Sequence, residues 1–120
     1  MKRILLVEDH AAFRQAIASV LEQEPDLKVV AQASSLAEGR RVDHGMFDLA
    51  MVDVFLSDGK GTHLIRQLKE ANPQTPVLVL TVSPDPAVHG EALEAGADEV
   101  LPKSAELDEI VAVIRRLASD

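Results

Sequence analysis

Side chains that could handle a charged group stand at the ends of short apolar runs in this sequence. Three are acids and one is a base: Glu8, Asp9, Asp53 and Lys103. Apolar runs of this kind form buried strands, where a carboxylate is rarely a core residue. In a parallel sheet the carboxyl ends of the strands lie together, and α/β proteins bind their ligands at that edge. The spacing therefore predicts a single site that contains all four side chains.

Three carboxylates in one pocket repel one another, so one must be protonated or a cation must share the site. Oxygen ligands alone favour Mg²⁺, which binds a few carboxylates and keeps several waters. Taken by themselves, Glu8 and Asp9 are more simply explained as helix-capping residues, because an acid near a helix start at Ala11 stabilises the helix dipole. That explanation does not account for Asp53 and Lys103, which follow other apolar runs.

The apolar pattern predicts strands that alternate with helices. Five short runs are strand candidates: 4–7, 27–31, 49–54, 77–82 and 99–101. Apolar residues at helical spacing predict helices in three segments: 13–21, 64–68 and 107–117. Two less regular segments fill the remaining gaps and are also predicted helices: 35–42 and 86–95. Near-continuous apolar strands indicate a sheet covered on both faces, and strict alternation indicates right-handed crossovers. The predicted fold is therefore a doubly wound α/β domain with a five-stranded parallel sheet.

The composition limits what this domain can do. With 120 residues, 47% of them apolar, and no internal linker or repeat, the chain suits one domain over residues 1–120. The net charge of -8 argues against direct binding to nucleic acid or anionic membranes, which both need excess Lys and Arg. The absence of cysteine excludes disulfides and thiolate chemistry. It also suits a reducing compartment, so the cytoplasm is the expected location. No apolar segment approaches the roughly 20 residues that span a bilayer.

Together with Thr81 and the segment 56–61, these residues form a pattern that resembles the receiver domain of two-component response regulators over essentially the whole chain. The family carries an acidic pair, a phosphoacceptor aspartate, a switch hydroxyl and an invariant lysine at the positions that here hold Glu8-Asp9, Asp53, Thr81 and Lys103. The segment 7–14, VEDHAAFR, is most similar to receivers that precede helix-turn-helix output domains of the LuxR/NarL type. The resemblance implies a flavodoxin-like, CheY-like three-layer sandwich with strand order 2-1-3-4-5.

The resemblance also implies how the acidic residues act. Asp53 would accept a phosphoryl group from a cognate histidine kinase or phosphotransfer protein, because a carboxylate held in line is an adequate nucleophile toward phosphorus. Mg²⁺ would neutralise charge on the transferring group. Its implied ligands are three carboxylates, the first acting through water, and one backbone carbonyl: Glu8, Asp9, Asp53 and Phe55.

The remaining site residues would turn phosphorylation into a conformational switch. Lys103 would pair with one phosphoryl oxygen, and the Thr81 hydroxyl would bond another and draw its loop inward. The implied output is control of an output domain or a partner. The similarity of the segment 7–14 favours a C-terminal helix-turn-helix domain beyond residue 120 that controls transcription, and a stand-alone receiver and homodimerisation are left open. The domain itself would not be an enzyme, apart from Mg²⁺-assisted gain and loss of its own phosphoryl group.

Several positions depart from the family pattern. Val100 stands three residues before the lysine, where the family usually has an aromatic switch residue, so a swinging ring cannot report phosphorylation here. Val82 follows the switch hydroxyl, where a small residue is usual, and we expect it to narrow access to the phosphoacceptor. Ser57 and Ser104 replace prolines in the adjoining loops. None of these changes removes a catalytic group.

Other classes of protein are less well supported by the sequence. An aspartate-nucleophile phosphatase normally carries a second acid two residues after its nucleophile, where this chain has Phe55. A flavodoxin-like cofactor protein needs a hydroxyl- and glycine-rich loop after the first strand, and the segment 59–61 lacks the P-loop frame. A pseudo-receiver that works without phosphorylation remains the alternative. The histidines are isolated and are assigned no function: His10, His44, His63 and His89.

Overall fold

The structure, a computed structural model, describes residues 1–119. The strands are β1 (Lys2–Val7), β2 (Leu27–Ala33), β3 (Leu49–Asp53), β4 (Phe55–Leu56), β5 (Gly59–Lys60), β6 (Val77–Thr81) and β7 (Glu99–Pro102). The helices are α1 (Ala11–Glu22), α2 (Leu36–Arg40), α3 (Gly61–Ala71), α4 (Pro86–Ala95) and α5 (Leu107–Ala118), with a 3-10 turn at His44–Met46. Across the described residues, none of these helices is both long and apolar enough to cross a bilayer.

Five strands form one parallel sheet in the order β2-β1-β3-β6-β7. Numbered within the sheet along the chain, this is the order 2-1-3-4-5, so the predicted topology and the doubly wound α/β fold are confirmed. The other two strands, β4 and β5, form an antiparallel hairpin that the sequence did not predict. Its turn leads into Gly59, whose φ of 150° lies in a region that favours glycine.

Helices cover both faces of the sheet because alternate strand side chains point to opposite sides. On β1, Ile4 and Leu6 pack in a core cluster with residues of α1 and α5. Their neighbours Leu5 and Val7 pack in a second cluster with residues of α2, α3 and α4. All four side chains are 2% exposed or less, and burial of each stabilises the fold by roughly 1.5–3 kcal/mol. This sandwich fixes the strand ends from which the predicted site residues emerge.

Helix α2 is shorter than the predicted segment 35–42. Ser35 is its N-cap, and the Ser35 hydroxyl accepts a hydrogen bond from the Glu38 amide. A second acceptor comes from the β4–β5 turn, where the Asp58 carboxylate accepts from the backbone N–H groups at positions 36 and 37, at 2.8 and 3.1 Å. These contacts satisfy helix-start amides that have no intrahelical partner. They also tie the hairpin beside Asp53 to the neighbouring helix.

Candidate functional site

The ends of β1, β3 and β7 bring the predicted acids and lysine together. The Lys103 ammonium donates to Glu8 Oε1 at 2.7 Å and to Asp53 Oδ2 at 2.9 Å. Glu8 and Asp53 are buried, with 2% and 5% of their surface exposed, whereas Asp9 is exposed. One carboxylate oxygen from each of the three acids lies within 4.8 Å of the others. The carboxyl edge of the sheet therefore holds a buried cluster of ion pairs, with the exposed acid Asp9 beside it.

The cluster carries more negative than positive charge. Burial raises the pKa of Glu8 to about 7 and the nearby Asp53 carboxylate adds to this, although hydrogen bonding to Lys103 works in the opposite direction. Burial also works against the charged form of Lys103, but its hydrogen bonds to the two carboxylates prevail and raise the pKa of the ammonium. A single lysine charge is thus shared by two buried acids. The cluster is suited to receive a further cation.

Asp53 is held at its position by close backbone contacts. Its Oδ1 accepts a hydrogen bond from the Phe55 amide at 3.3 Å, just beyond the buried strand β3. Helix α3 begins at Gly61, whose N–H donates to the Val54 carbonyl at 2.6 Å. A Cβ at position 61 would stand only 1.9 Å from the backbone oxygen of Asp53. Only glycine allows the helix to start this close to the phosphoacceptor candidate.

The interpretation of Glu8 and Asp9 as helix-capping residues is wrong. The N-cap of α1 is His10, whose Nδ1 accepts a hydrogen bond from the Phe13 amide at 3.2 Å. The Glu8 carboxylate instead accepts from the His10 amide at 3.3 Å and turns toward the lysine, while Arg14 donates to the Glu8 carbonyl at 2.8 Å. The helix start therefore positions the first acid of the cluster.

Thr81 lies fully buried at the same edge of the sheet. Its Oγ1 accepts a hydrogen bond from the Ser83 amide at 3.2 Å, and its carbonyl accepts from the Lys103 amide at 2.9 Å. The following residue, Val82, is 73% exposed. It stands at the rim of an open pocket of about 440 Å³ whose other lining residues are His10, Phe13, Lys103 and Ser104.

Residues outside the predicted site also shape it. Phe13, which the sequence placed only in the apolar stripe of α1, lies against the lysine, with Lys103 Nζ 4.8 Å from the ring centroid. His89 bonds the Ser83 carbonyl through Nε2 at 2.7 Å and so joins α4 to the loop after β6. Val100 is half-buried against the core beneath α2, α3 and α4. A sequence signal existed for Phe13, since the chain has only three aromatic residues and this one follows the acidic pair by four positions.

A doubly wound sheet with a lysine-bridged acid cluster at its carboxyl edge defines a domain of the receiver class. The family model described as "Response regulator receiver domain" matches residues 4–115, and the chain belongs to this family. The expected resemblance is thereby confirmed, and the relatives below support a receiver domain of the LuxR/NarL type.

Two curated relatives are transcription regulators. The chain is 33% identical over 116 residues to the DNA-binding transcriptional activator DevR/DosR of Mycobacterium tuberculosis, covering 96% of this chain and 54% of that protein. It is 34% identical over 125 residues to the transcriptional regulatory protein UhpA of Salmonella typhimurium, covering 99% and 60%. The chain thus spans a little over half the length of these relatives. A LuxR-family two-component response regulator from Aurantimonas has a solved structure with a TM-score of 0.90 at 28% identity, covering 99% of this chain and 86% of that one.

Proposed function

We propose that Asp53 accepts a phosphoryl group from a histidine kinase or a phosphotransfer protein. The observation that carries this proposal is the buried Asp53 carboxylate held 2.9 Å from the Lys103 ammonium at the carboxyl edge of the sheet. In the transfer, a P–O bond to Asp53 forms while the P–N bond to the donor imidazole breaks, and its electron pair returns to the ring nitrogen. Asp53 needs only to be positioned and charge-compensated for this step.

The residues present fit a magnesium ion. The donor set consists of oxygens only, and one lysine leaves the acids with excess negative charge. The proposed ligands are Asp9, Asp53 and the backbone carbonyl of Phe55, with Glu8 acting through water. Bound there, Mg²⁺ would supply neutralisation of charge on the transferring group.

Lys103 and Thr81 are proposed to hold the phosphoryl group after transfer. Lys103 already donates two hydrogen bonds in the cluster and would redirect one of them to a phosphoryl oxygen. The Thr81 hydroxyl accepts from Ser83 and keeps its own proton to donate to another phosphoryl oxygen. A shift of Thr81 would move the loop after β6 and thereby report phosphorylation to the surface.

The proposed role of the domain is regulatory rather than enzymatic. We infer that it spans residues 1–120 of a longer cytoplasmic regulator whose C-terminal helix-turn-helix domain controls transcription, and homodimerisation is compatible with that role. The names of the relatives, a transcriptional activator and a transcriptional regulatory protein, support this inference. The net charge of -8 argues that the receiver domain itself does not contact nucleic acid.

The proposal is tested by phosphorylation in solution. The chain is incubated with acetyl phosphate with Mg²⁺ or with a chelator, and its intact mass is measured. We expect one phosphoryl adduct with Mg²⁺, none with the chelator and none in Asp53→Asn. A wild-type chain that stays unmodified, under conditions that modify a control receiver, would instead support the phosphorylation-independent pseudo-receiver.

A further inference from the structure

We propose that Phe13 is a positioning residue for Lys103. Its ring holds the ammonium beside Asp53 through a cation–π contact and separates the buried acids from the open pocket that Val82 lines. The effect of this contact on phosphoryl binding rests on the function proposed above, whereas the contact itself does not.

The Lys103 ammonium lies over the Phe13 ring. Lys103 Nζ lies 4.8 Å from the Phe13 ring centroid, within the distance of about 6 Å at which an aromatic face attracts a cation. An ammonium has three N–H donors, and two of them are used by Glu8 and Asp53 at 2.7 and 2.9 Å. The ring therefore adds attraction to an ammonium that already donates two hydrogen bonds. The Lys103 side chain is only 14% exposed.

The Phe13 ring also lines two separate spaces, a small void and an open pocket. Phe13 lines a narrow void of about 10 Å³ beside Glu8 and Asp53, which has room for one water at most. It also lines the open pocket of about 440 Å³ together with Val82, and among the described residues it is the one lining residue that the two spaces share. Removal of the ring would admit water to the cluster and weaken the ion pairs of the lysine, because charges interact more weakly at higher dielectric.

The ring is anchored to the same strand end as the acid it helps to pair. The Phe13 amide donates to His10 Nδ1 in the helix cap, and Arg14 of the same turn donates to the Glu8 carbonyl. Phe13 also packs against the core cluster that contains Ile17. The two hydrogen bonds connect the first turn of α1, which carries the ring, to the backbone at Glu8.

A ring face suits the rearrangement that phosphorylation requires. In the function proposed above, Lys103 turns one N–H from the Asp53 carboxylate to a phosphoryl oxygen. An aromatic face attracts the ammonium without demanding a particular N–H direction, whereas a polar acceptor would compete for the donor. Phe13 therefore keeps the charge in place while its hydrogen bonds exchange.

The test compares Phe13→Leu with Phe13→Tyr. The leucine keeps an apolar side chain without a π face, and the tyrosine keeps the face. Beryllofluoride, a phosphoryl stand-in, is titrated in the presence of Mg²⁺. We expect Phe13→Leu to weaken beryllofluoride binding about five- to thirtyfold and Phe13→Tyr to restore it to within about twofold of wild type. Equal affinity of wild type and Phe13→Leu would overturn the proposal.

A second readout does not depend on phosphoryl chemistry. In the metal-free chain, the Lys103 ε-methylene protons should resonate upfield because of the Phe13 ring current, and they should return to ordinary shifts in Phe13→Leu. The control is Phe47→Leu, which removes a ring that is 4% exposed in the other core cluster and should leave these resonances unchanged. Unchanged lysine resonances in Phe13→Leu would overturn the contact. Failure of wild type to bind beryllofluoride would count against the proposed function, and the resonances would still decide the role of Phe13.

Discussion

The two edges of the sheet carry the same types of charged residue in opposite arrangements. At the amino edge, Arg3 pairs with Asp48 at 3.1 Å, and both side chains are at least one-third exposed. At the carboxyl edge, one lysine serves two acids whose side chains are 3% and 6% exposed. The amino-edge acid also accepts the backbone N–H of Arg3 at the start of β1, and Asp98 accepts that of Val77 at the start of β6.

The difference shows how position decides the role of a carboxylate. Hydrogen bonding to Arg3 lowers the pKa of Asp48, so this acid is stable as an anion. Its carboxylate accepts a hydrogen bond from the backbone at the start of β1. Burial raises the pKa of Glu8 to about 7, so the ionised carboxylate is unfavourable at the carboxyl edge unless a cation besides Lys103 is present. The exposed ion pair of Arg3 and Asp48, with one positive and one negative charge, has a structural role. An unbalanced, buried cluster indicates a site built for a ligand.

The largest expected effect comes from closing the space at the carboxyl edge. Gly61→Val would place side-chain atoms against the Asp53 carbonyl, 1.9 Å from an ideal Cβ, and force the start of α3 away from β3. We expect a loss of about 3 kcal/mol or more in the free energy of unfolding, measured with urea. The control is Gly90→Ala in α4, where an added Cβ would have no atom within 4 Å beyond its chain neighbours and its own helix backbone, and it should stabilise by about 0.5–1 kcal/mol. Similar stabilities for the two variants would contradict the proposed close approach.

The next prediction separates the two edges directly. Lys103→Met leaves two buried carboxylates facing each other, and we expect a loss of about 3 kcal/mol at pH 8 without metal. Arg3→Met at the amino edge exposes its partner acid to water and should cost less than about 1 kcal/mol. Urea denaturation of both variants in one buffer gives the comparison. Equal losses would show that burial does not distinguish the edges.

A smaller effect should appear in the pH dependence of stability. Because burial raises the pKa of Glu8 from 4.5 to about 7, the folded chain binds a proton in this interval that the unfolded chain does not. The metal-free protein should therefore gain stability, on the order of 2 kcal/mol, as the pH falls from 7.5 to 5. The pKa of Asp48 is lowered, so that acid titrates below this window. Glu8→Gln should flatten the dependence, and an unchanged slope in that variant would refute the assignment.

Much of the fold could be predicted from the sequence because apolar runs mark buried parallel strands. All five sheet strands lie within two residues of the predicted bounds, and α4 matches its predicted segment. The β4–β5 hairpin was missed because its strands have two residues each, too few for a periodic pattern. Helix α2 ends early, and its start depends on Asp58 more than 20 positions away, a contact that local propensity cannot reveal.

The site was predictable where chemistry follows strand ends and unpredictable where it depends on packing. Glu8, Asp53 and Lys103 converge as expected from their positions after apolar runs. The cap at His10 was missed because side-chain oxygens are the usual N-cap acceptors, not an imidazole nitrogen. Phe13 was missed because an apolar stripe shows which face of the helix a residue lies on but not which residue of another element it contacts.

The most direct test of the central claim is to locate the phosphoryl group. The chain is phosphorylated with acetyl phosphate and Mg²⁺, the acyl phosphate is reduced with borohydride to an alcohol, and the modified position is read by tandem mass spectrometry. We expect one reduced side chain, at Asp53 in the carboxyl-edge cluster, and none at Asp48 on the amino edge. Reduction at Glu8, Asp9 or Asp48 in place of Asp53 would contradict it.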